Sequence, residues 1–388
     1  MELIKIHLKK NEKIFMLYLT SWFFLESQLL GLVNINIEEE KIIRIISTLI
    51  SLIIYLSYIK KNNYDEKLMI LKYLSLFYTS WVIAITVGMI KWGGGLAFGE
   101  ISRFITFLPL IMIVSEGYRR ILRYWLINIF RYIGYYFMII TILFVGYDIQ
   151  MPGYSELESY DKIGLHIVPV TVFNVLLIIE LYRINARLKK IIIILLIFIC
   201  GWYEGHRSLL IMNIAILLGY YLEKNNIKNI GKVLLITISV FIIMFSNIFI
   251  ENITTENYFG NESLISRSEI NKNRYEDALD NLMLGVGLVS NESSISKSYE
   301  YNSLSRFDET VRVIDGGFLD LALKFGIIGT LIYFISLYVN IKKINSRNYI
   351  NAAIILIYFG AGFTLSLFTF YFGIFLLYSS LTITYYEK

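Results

Sequence analysis

Apolar runs near twenty residues long, joined by short polar connections, recur along almost the whole chain. As an α-helix, about twenty residues cross the roughly 30 Å hydrocarbon core of a bilayer. The runs are continuous rather than alternating, which fits helices and not the strands of a barrel. The pattern predicts an all-α, polytopic membrane protein, a single integral domain over 1–388 with about twelve spans. These fall at 14–33, 42–59, 68–90, 101–118, 124–146, 164–182, 190–203, 208–222, 233–250, 313–339, 349–367 and 369–385. One long polar interruption, residues 251–312, separates spans nine and ten. A connection of that length is usually functional or disordered.

Short-loop lysine and arginine favour the cytoplasmic side and so orient the spans. One set of alternate loops carries Lys60, Lys61 and Lys67; Arg119, Arg120 and Arg123; Arg183, Arg187, Lys189 and Lys190; Lys224, Lys228 and Lys232; and Lys342, Lys343 and Arg347. The opposite set carries Glu38, Glu39 and Glu40, then Asp148, Glu156, Glu158 and Asp161. Both termini are thereby expected inside and 251–312 outside. Lys41, Arg44 and Lys91 break the rule.

Composition narrows this picture only slightly. The chain is 56% apolar, and its net charge of +5 belongs to the inner loops rather than to a nucleic-acid surface. Its first apolar run follows Lys5, Lys9, Lys10 and Lys13 but has no small-residue cleavage site, so it reads as a retained helix. The lone Cys200 excludes a disulfide framework or a cysteine metal cluster. His7 and His166 stand apart from other ligands, and no metal-ligand spacing is found. No internal repeat relates the two halves, which weighs against transporters built from paired repeats.

Four places carry candidate chemistry. Glu204-Gly205-His206-Arg207-Ser208 joins two short spans near the outer surface. Ionisable residues at membrane depth are functional by default, and an arginine fork suits phosphate oxygens. An Arg207–Glu204 pair capping a helical hairpin is the structural alternative. Residues 269–283 predict a helix lying on the membrane surface, with Tyr275, Ala278, Leu279, Leu282 and Met283 on one face and Gly285 and Gly287 ending it. Arg274 sits at the edge of that stripe, facing either headgroups or a substrate anion.

The third place is Arg312-Val313-Ile314-Asp315-Gly316-Gly317, where the chain returns to the membrane. Asp315 there is either a general base or a helix N-cap, and Asp320 lies one to two turns deeper. The fourth is Trp92-Gly93-Gly94-Gly95, with Glu100 and Arg103 following. Arg103 is a further candidate for anion contact, with a Glu100–Arg103 helical pair as the alternative.

The order of these parts resembles the O-antigen and capsular polysaccharide polymerase family (Wzy-type) and its relatives, the O-antigen ligases. The resemblance rests on His206-Arg207-Ser208, on Arg274 followed by Leu284-Gly285-Val286-Gly287, and on Asp315-Gly316-Gly317-Phe318-Leu319 with Gly326-Ile327-Ile328-Gly329. It covers about residues 190–340; the first half matches only in hydropathy. It implies a metal-independent, cofactor-free glycosyltransferase of the bacterial inner membrane, of the membrane-embedded class that uses lipid-linked donors.

In that likeness Arg207 and Arg274, with Arg103 third, hold the pyrophosphate of a polyprenyl-linked oligosaccharide. Asp315 is the base and His206 its runner-up, supported by Glu204, Arg312 and Asp320. A chain-length regulator and a flippase of the same pathway are implied partners. Ligases carry His-Asn where this chain has Asp315-Gly316, a departure that resembles the polymerases. Gly316 also replaces their usual Asn, which leaves the base open. A ligase and a transporter of lipid-linked sugars are the alternatives.

Overall fold

The computed structural model describes residues 10–26, 37–61, 64–92, 101, 104–107, 116–142, 162–183, 187–203, 207–224, 275, 278–288, 317–344, 351, 354–355, 358–360, 362, 368 and 371–385. Among these residues the regular structure is all helical. Its elements are α1 (Lys10–Glu26), α2 (Ile37–Lys61), α3 (Tyr64–Trp92), α4 (Glu116–Trp125), a π-helical turn (Leu126–Phe130), α5 (Arg131–Ile140), α6 (Lys162–Arg183), α7 (Arg187–Tyr203), α8 (Arg207–Lys224), α9 (Gly317–Ile344) and α10 (Tyr371–Tyr385). Where they can be compared, the helices coincide with the expected apolar runs. Residues 233–250 lie outside the described residues.

Helix α4 differs from expectation. It takes up the basic stretch read as a loop, because Ile121, Leu122, Trp125 and Leu126 recur at helical spacing and are buried. Tyr118 packs on Phe15 of α1 with ring centroids 4.8 Å apart, and Arg120 lies 3.6 Å from Glu12.

Two helices are buried on all sides along much of their length. Residues 172–181 of α6 and 373–384 of α10 are all buried, the signature of a central helix. Around them, Trp22 and Phe23 of α1, Trp125 of α4 and Phe130 of the π turn close on Phe375 of α10, with ring centroids 5.3–6.2 Å apart. Such aromatic pairs contribute about 0.5–1.5 kcal/mol each beyond the area they bury.

Several helices expose apolar stripes while polar side chains lie buried. Helix α2 exposes Ile42, Ile45, Ile46, Leu49, Ile53 and Leu56, a stripe at helical spacing. Helix α7 exposes Leu188, Ile191, Ile192, Leu195 and Ile199, and α9 exposes Ile327, Ile328, Leu331, Ile335 and Tyr338. Meanwhile Asn174, Glu180, Asn213, Asp320, Asn340, Ser379 and Ser380 are buried.

Helix α9 is the largest departure from expectation. Residues Gly317–Lys342 form a helical stretch that is long and apolar enough to cross a membrane, yet the helix is broken at Gly326, with φ 62° and ψ −176°. In a straight helix, residues 318 and 334 would stand about 24 Å apart. Here the rings of Phe318 and Phe334 lie 5.8 Å apart, those of Phe325 and Tyr333 6.1 Å apart, and Thr330 Oγ1 donates to Leu321 O at 3.4 Å. The stretch 317–325 therefore folds back on 327–344 as a helical hairpin. The described part of the run expected as one span over 313–339 is therefore broken at Gly326.

Both halves touch α3, with Phe325 of the first against Trp81 and Tyr333 of the second against Phe77, at ring separations of 5.3 Å and 5.8 Å. Phe318, Phe334, Tyr358 and Phe368 gather at the base of the hairpin, where Phe318 N–H also bonds to Gly362 O at 3.2 Å.

Candidate functional site

The described part of the long polar stretch is docked on the break in α9. Tyr275 and residues 278–280 are helical, and 281–284 form a turn. Gly285, with φ 72°, then donates its N–H to Asn281 O at 2.8 Å, a left-handed glycine cap. Ala278, Val286, Leu319 and Leu323 pack together. Tyr275, Leu279, Leu282 and Met283, four of the five residues expected on one apolar face, are exposed.

The break in α9 would orphan backbone groups at both new helix ends, and buried orphans are costly. The segment satisfies them. Val286 N–H bonds to Leu323 O at 2.8 Å and Gly287 N–H to Lys324 O at 3.0 Å. Ile327 and Ile328 N–H bond to Leu282 O and Met283 O at 2.8 Å and 3.2 Å. Leu288 N–H reaches Ala84 O of α3 at 2.9 Å. Thus Leu284-Gly285-Val286-Gly287 and Gly326-Ile327-Ile328-Gly329, two motifs far apart in the chain, meet at one point. With these N–H groups bonded to carbonyls, the role of the glycines here is to bring backbones together.

Lys91, which breaks the charge rule, has a place in this arrangement. Its Nζ donates to Asn281 Oδ1 at 2.7 Å and to Gly285 O at 2.8 Å, tying the segment to the end of α3. Lys91→Met is expected to cost about 1 kcal/mol at this exposed position. The measurement is hydrogen exchange at the amides of Val286, Gly287 and Leu288, expected to quicken roughly fivefold.

Of the expected site residues, Asp320 is described in full. It is 1% exposed and pairs with Lys324 at 2.8 Å, one turn on. The lysine side chain is a quarter exposed. A buried carboxylate requires such a partner. The same turn of α9 carries Leu323, whose carbonyl binds the docked segment, so the pair adjoins the junction.

Arg207 begins α8. Arg103, Glu204, His206, Arg274, Arg312 and Asp315 lie outside the described residues. Among the described residues, no group of three or more His, Cys, Asp or Glu is arranged to hold a metal ion.

A second polar cluster escaped the sequence reading. Glu180 of α6 is fully buried; its Oε1 accepts Tyr135 OH at 2.6 Å and lies 4.0 Å from Arg131 Nε. The Arg131 guanidinium rests 4.5 Å from the Tyr132 ring centroid, a cation–π contact. Glu180 Oε2 and Arg131 Nη1 are buried and have no hydrogen-bond partner among the described residues. The π turn ends at Arg131, whose N–H reaches back to Leu126 O, and π turns gather at functional sites. A charge inside each of two apolar runs was the available signal; their pairing was not visible.

Comparison with known protein families, characterised proteins and solved structures finds no match.

Proposed function

We propose that this chain is a multi-pass membrane glycosyltransferase that polymerises lipid-linked oligosaccharide repeat units at the outer face of a bacterial inner membrane. The observation that carries this reading is the junction itself. The Gly-x-Gly of the outer stretch is bonded into the break of α9, beside the buried Asp320–Lys324 pair. The glycine-containing parts of two of the three places on which the polymerase likeness rests are thereby neighbours. The membrane setting is supported by the exposed apolar stripes and the buried polar interior, a distribution suited to an apolar solvent. The twelve-span topology, with both termini inside, is part of the same reading.

In this mechanism a growing glycan is carried on polyprenyl pyrophosphate. The acceptor sugar hydroxyl attacks its anomeric carbon, the bond to the pyrophosphate oxygen breaks, and the pyrophosphate leaves with the electron pair. Arg207 and Arg274, with Arg103, stabilise the charge that develops on the leaving group. Asp315 takes the proton of the attacking hydroxyl, with His206 as the alternative base. Glu204, Arg312 and Asp320 support these groups.

A second reading, a transporter of lipid-linked saccharides, is favoured by the buried Arg131–Glu180–Tyr135 cluster, because such groups line ion and substrate pathways. One experiment separates the readings. Membranes containing the protein are incubated with a lipid-linked repeat unit, and the products are resolved on a gel. A ladder of repeat lengths is the expected result. Single transfers onto a different acceptor indicate a ligase, and movement across the bilayer without new glycosidic bonds indicates a transporter.

A further inference from the structure

Gly285 and Gly326 occupy equivalent places in two segments that cap each other. Both have left-handed φ values, 72° and 62°. After each glycine, two successive N–H groups bond to the other segment: Val286 and Gly287 to the carbonyls of Leu323 and Lys324, Ile327 and Ile328 to those of Leu282 and Met283. The correspondence is one to one, Leu282 with Leu323, Gly285 with Gly326 and Val286 with Ile327. A Cβ placed on Gly285 would lie 2.6 Å from Gly326 N, and one on Gly326 would lie 2.4 Å from Gly285 N.

In a continuous helix each N–H bonds to the carbonyl four residues earlier. With a right-handed glycine in each segment, Ile327 would bond to Leu323, Ile328 to Lys324, Val286 to Leu282 and Gly287 to Met283. The same four donors and four acceptors would be satisfied within their own segments. The two arrangements therefore contain equal numbers of these backbone bonds. What favours the crossed arrangement is the tolerance of glycine for positive φ, the packing of Phe318 against Phe334, and the Lys91 bridge.

We infer that docking of residues 282–287 and the fold-back of α9 are one coupled two-state element. When the segment leaves, α9 straightens over its 28 residues, and 317–325, carrying Asp320, departs from its place against 327–344. A ligand that prefers one state of the outer segment then shifts the shape of α9 in proportion to its differential affinity. On the reading above, that ligand is a lipid-linked saccharide; the coupling itself stands apart from that reading.

The test uses the full chain with Cys200→Ser and a short thiol-to-thiol cross-linker. Leu321→Cys with Thr330→Cys reports the fold-back, since nine residues of straight helix would separate them by about 13 Å. Val286→Cys with Leu323→Cys reports docking. In a Gly326→Ala background both cross-links are expected to fall together, at least fivefold, in protein that still elutes as a single species from the membrane fraction. If Gly326→Ala yields no such protein, Lys91→Met loosens the segment from outside α9, and both yields should drop by the same factor. Loss of the 286–323 cross-link with retention of the 321–330 cross-link, in either background, overturns the coupling, as does retention of both. The readout is conformational, so a failure here is distinguishable from a failure to find polymerase activity.

Discussion

Gly287→Ala is expected to unseat residues 282–288 and to leave little correctly folded protein. Gly287 has φ 89°, and a Cβ there would fall 2.2 Å from Gly88 N, 2.5 Å from Gly88 Cα and 2.8 Å from Ala84 O. All three are backbone atoms of α3, so no rotamer change relieves the clash. A left-handed alanine and an overfilled contact together cost about 2–5 kcal/mol, a large part of the stability of a typical domain. The hydrogen bonds from Gly287 N–H to Lys324 O and from Leu288 N–H to Ala84 O are the first to go. Detergent size-exclusion yield and hydrogen exchange at the Leu288 amide provide the measurement. Leu284→Ala, at an exposed site in the same segment, is the control and should change stability by less than about 0.5 kcal/mol. Equal yields for the two variants would show that the close approach of the three backbones is dispensable.

On the proposed polymerase reading, Arg274→Ala and Arg207→Ala are each expected to reduce polymer at least 100-fold while the protein still reaches the membrane. The reason is electrostatic. A pyrophosphate leaving group departs with developing negative charge, and a fixed donor aimed at such charge contributes about 10²–10³ in rate. Lysine at either position should restore only part of the activity, because a point charge replaces a planar two-pronged donor. Asp315→Asn keeps the shape of the side chain and removes its basicity, so a base at this position predicts a loss of about 10²–10⁴ in rate. The measurement is the length distribution of glycan made from a lipid-linked repeat unit, normalised to protein in the membrane. Normal chains from both arginine variants would dispose of the pyrophosphate clamp, and full activity of Asp315→Asn would return the base to His206 or another group.

Much of the helical layout was legible in the sequence because apolar run length is a local property. The runs at 164–182, 190–203 and 208–222 correspond within a few residues to α6, α7 and α8. The helix at 116–125 was missed: its arginines gave it the look of a loop, although Ile121, Leu122 and Trp125 stand at helical spacing. Which helices are central was not legible. The run of α6 is apolar on every side, as is that of α10, but so are runs that end up on the surface. The candidate site was legible in its parts. The glycine motifs and Asp320 were identified as residues, whereas the contact between Gly285 and Gly326 depends on hydrogen bonds between distant segments, for which one-dimensional spacing carries no signal.

Lys91 illustrates the division. Its sequence context marked it only as a charge on the wrong side, and tertiary structure supplied its two acceptors. The fold-back of α9 is similar, since residues 313–339 meet every local requirement of a straight span and only a competing set of carbonyls and N–H groups breaks it. Glu180 and Arg131, each a lone charge in an apolar run, became a pair only when α5 and α6 packed.

By itself the sequence determined that the described residues are helical and where most of those helices run. Tertiary structure alone decided which helices are buried, where α9 turns back, and that residues 282–287 cap the break. The physical reason is that hydrophobic periodicity and helix propensity act within a few turns, whereas satisfying orphaned backbone groups and pairing buried charges requires partners that only the folded chain brings together.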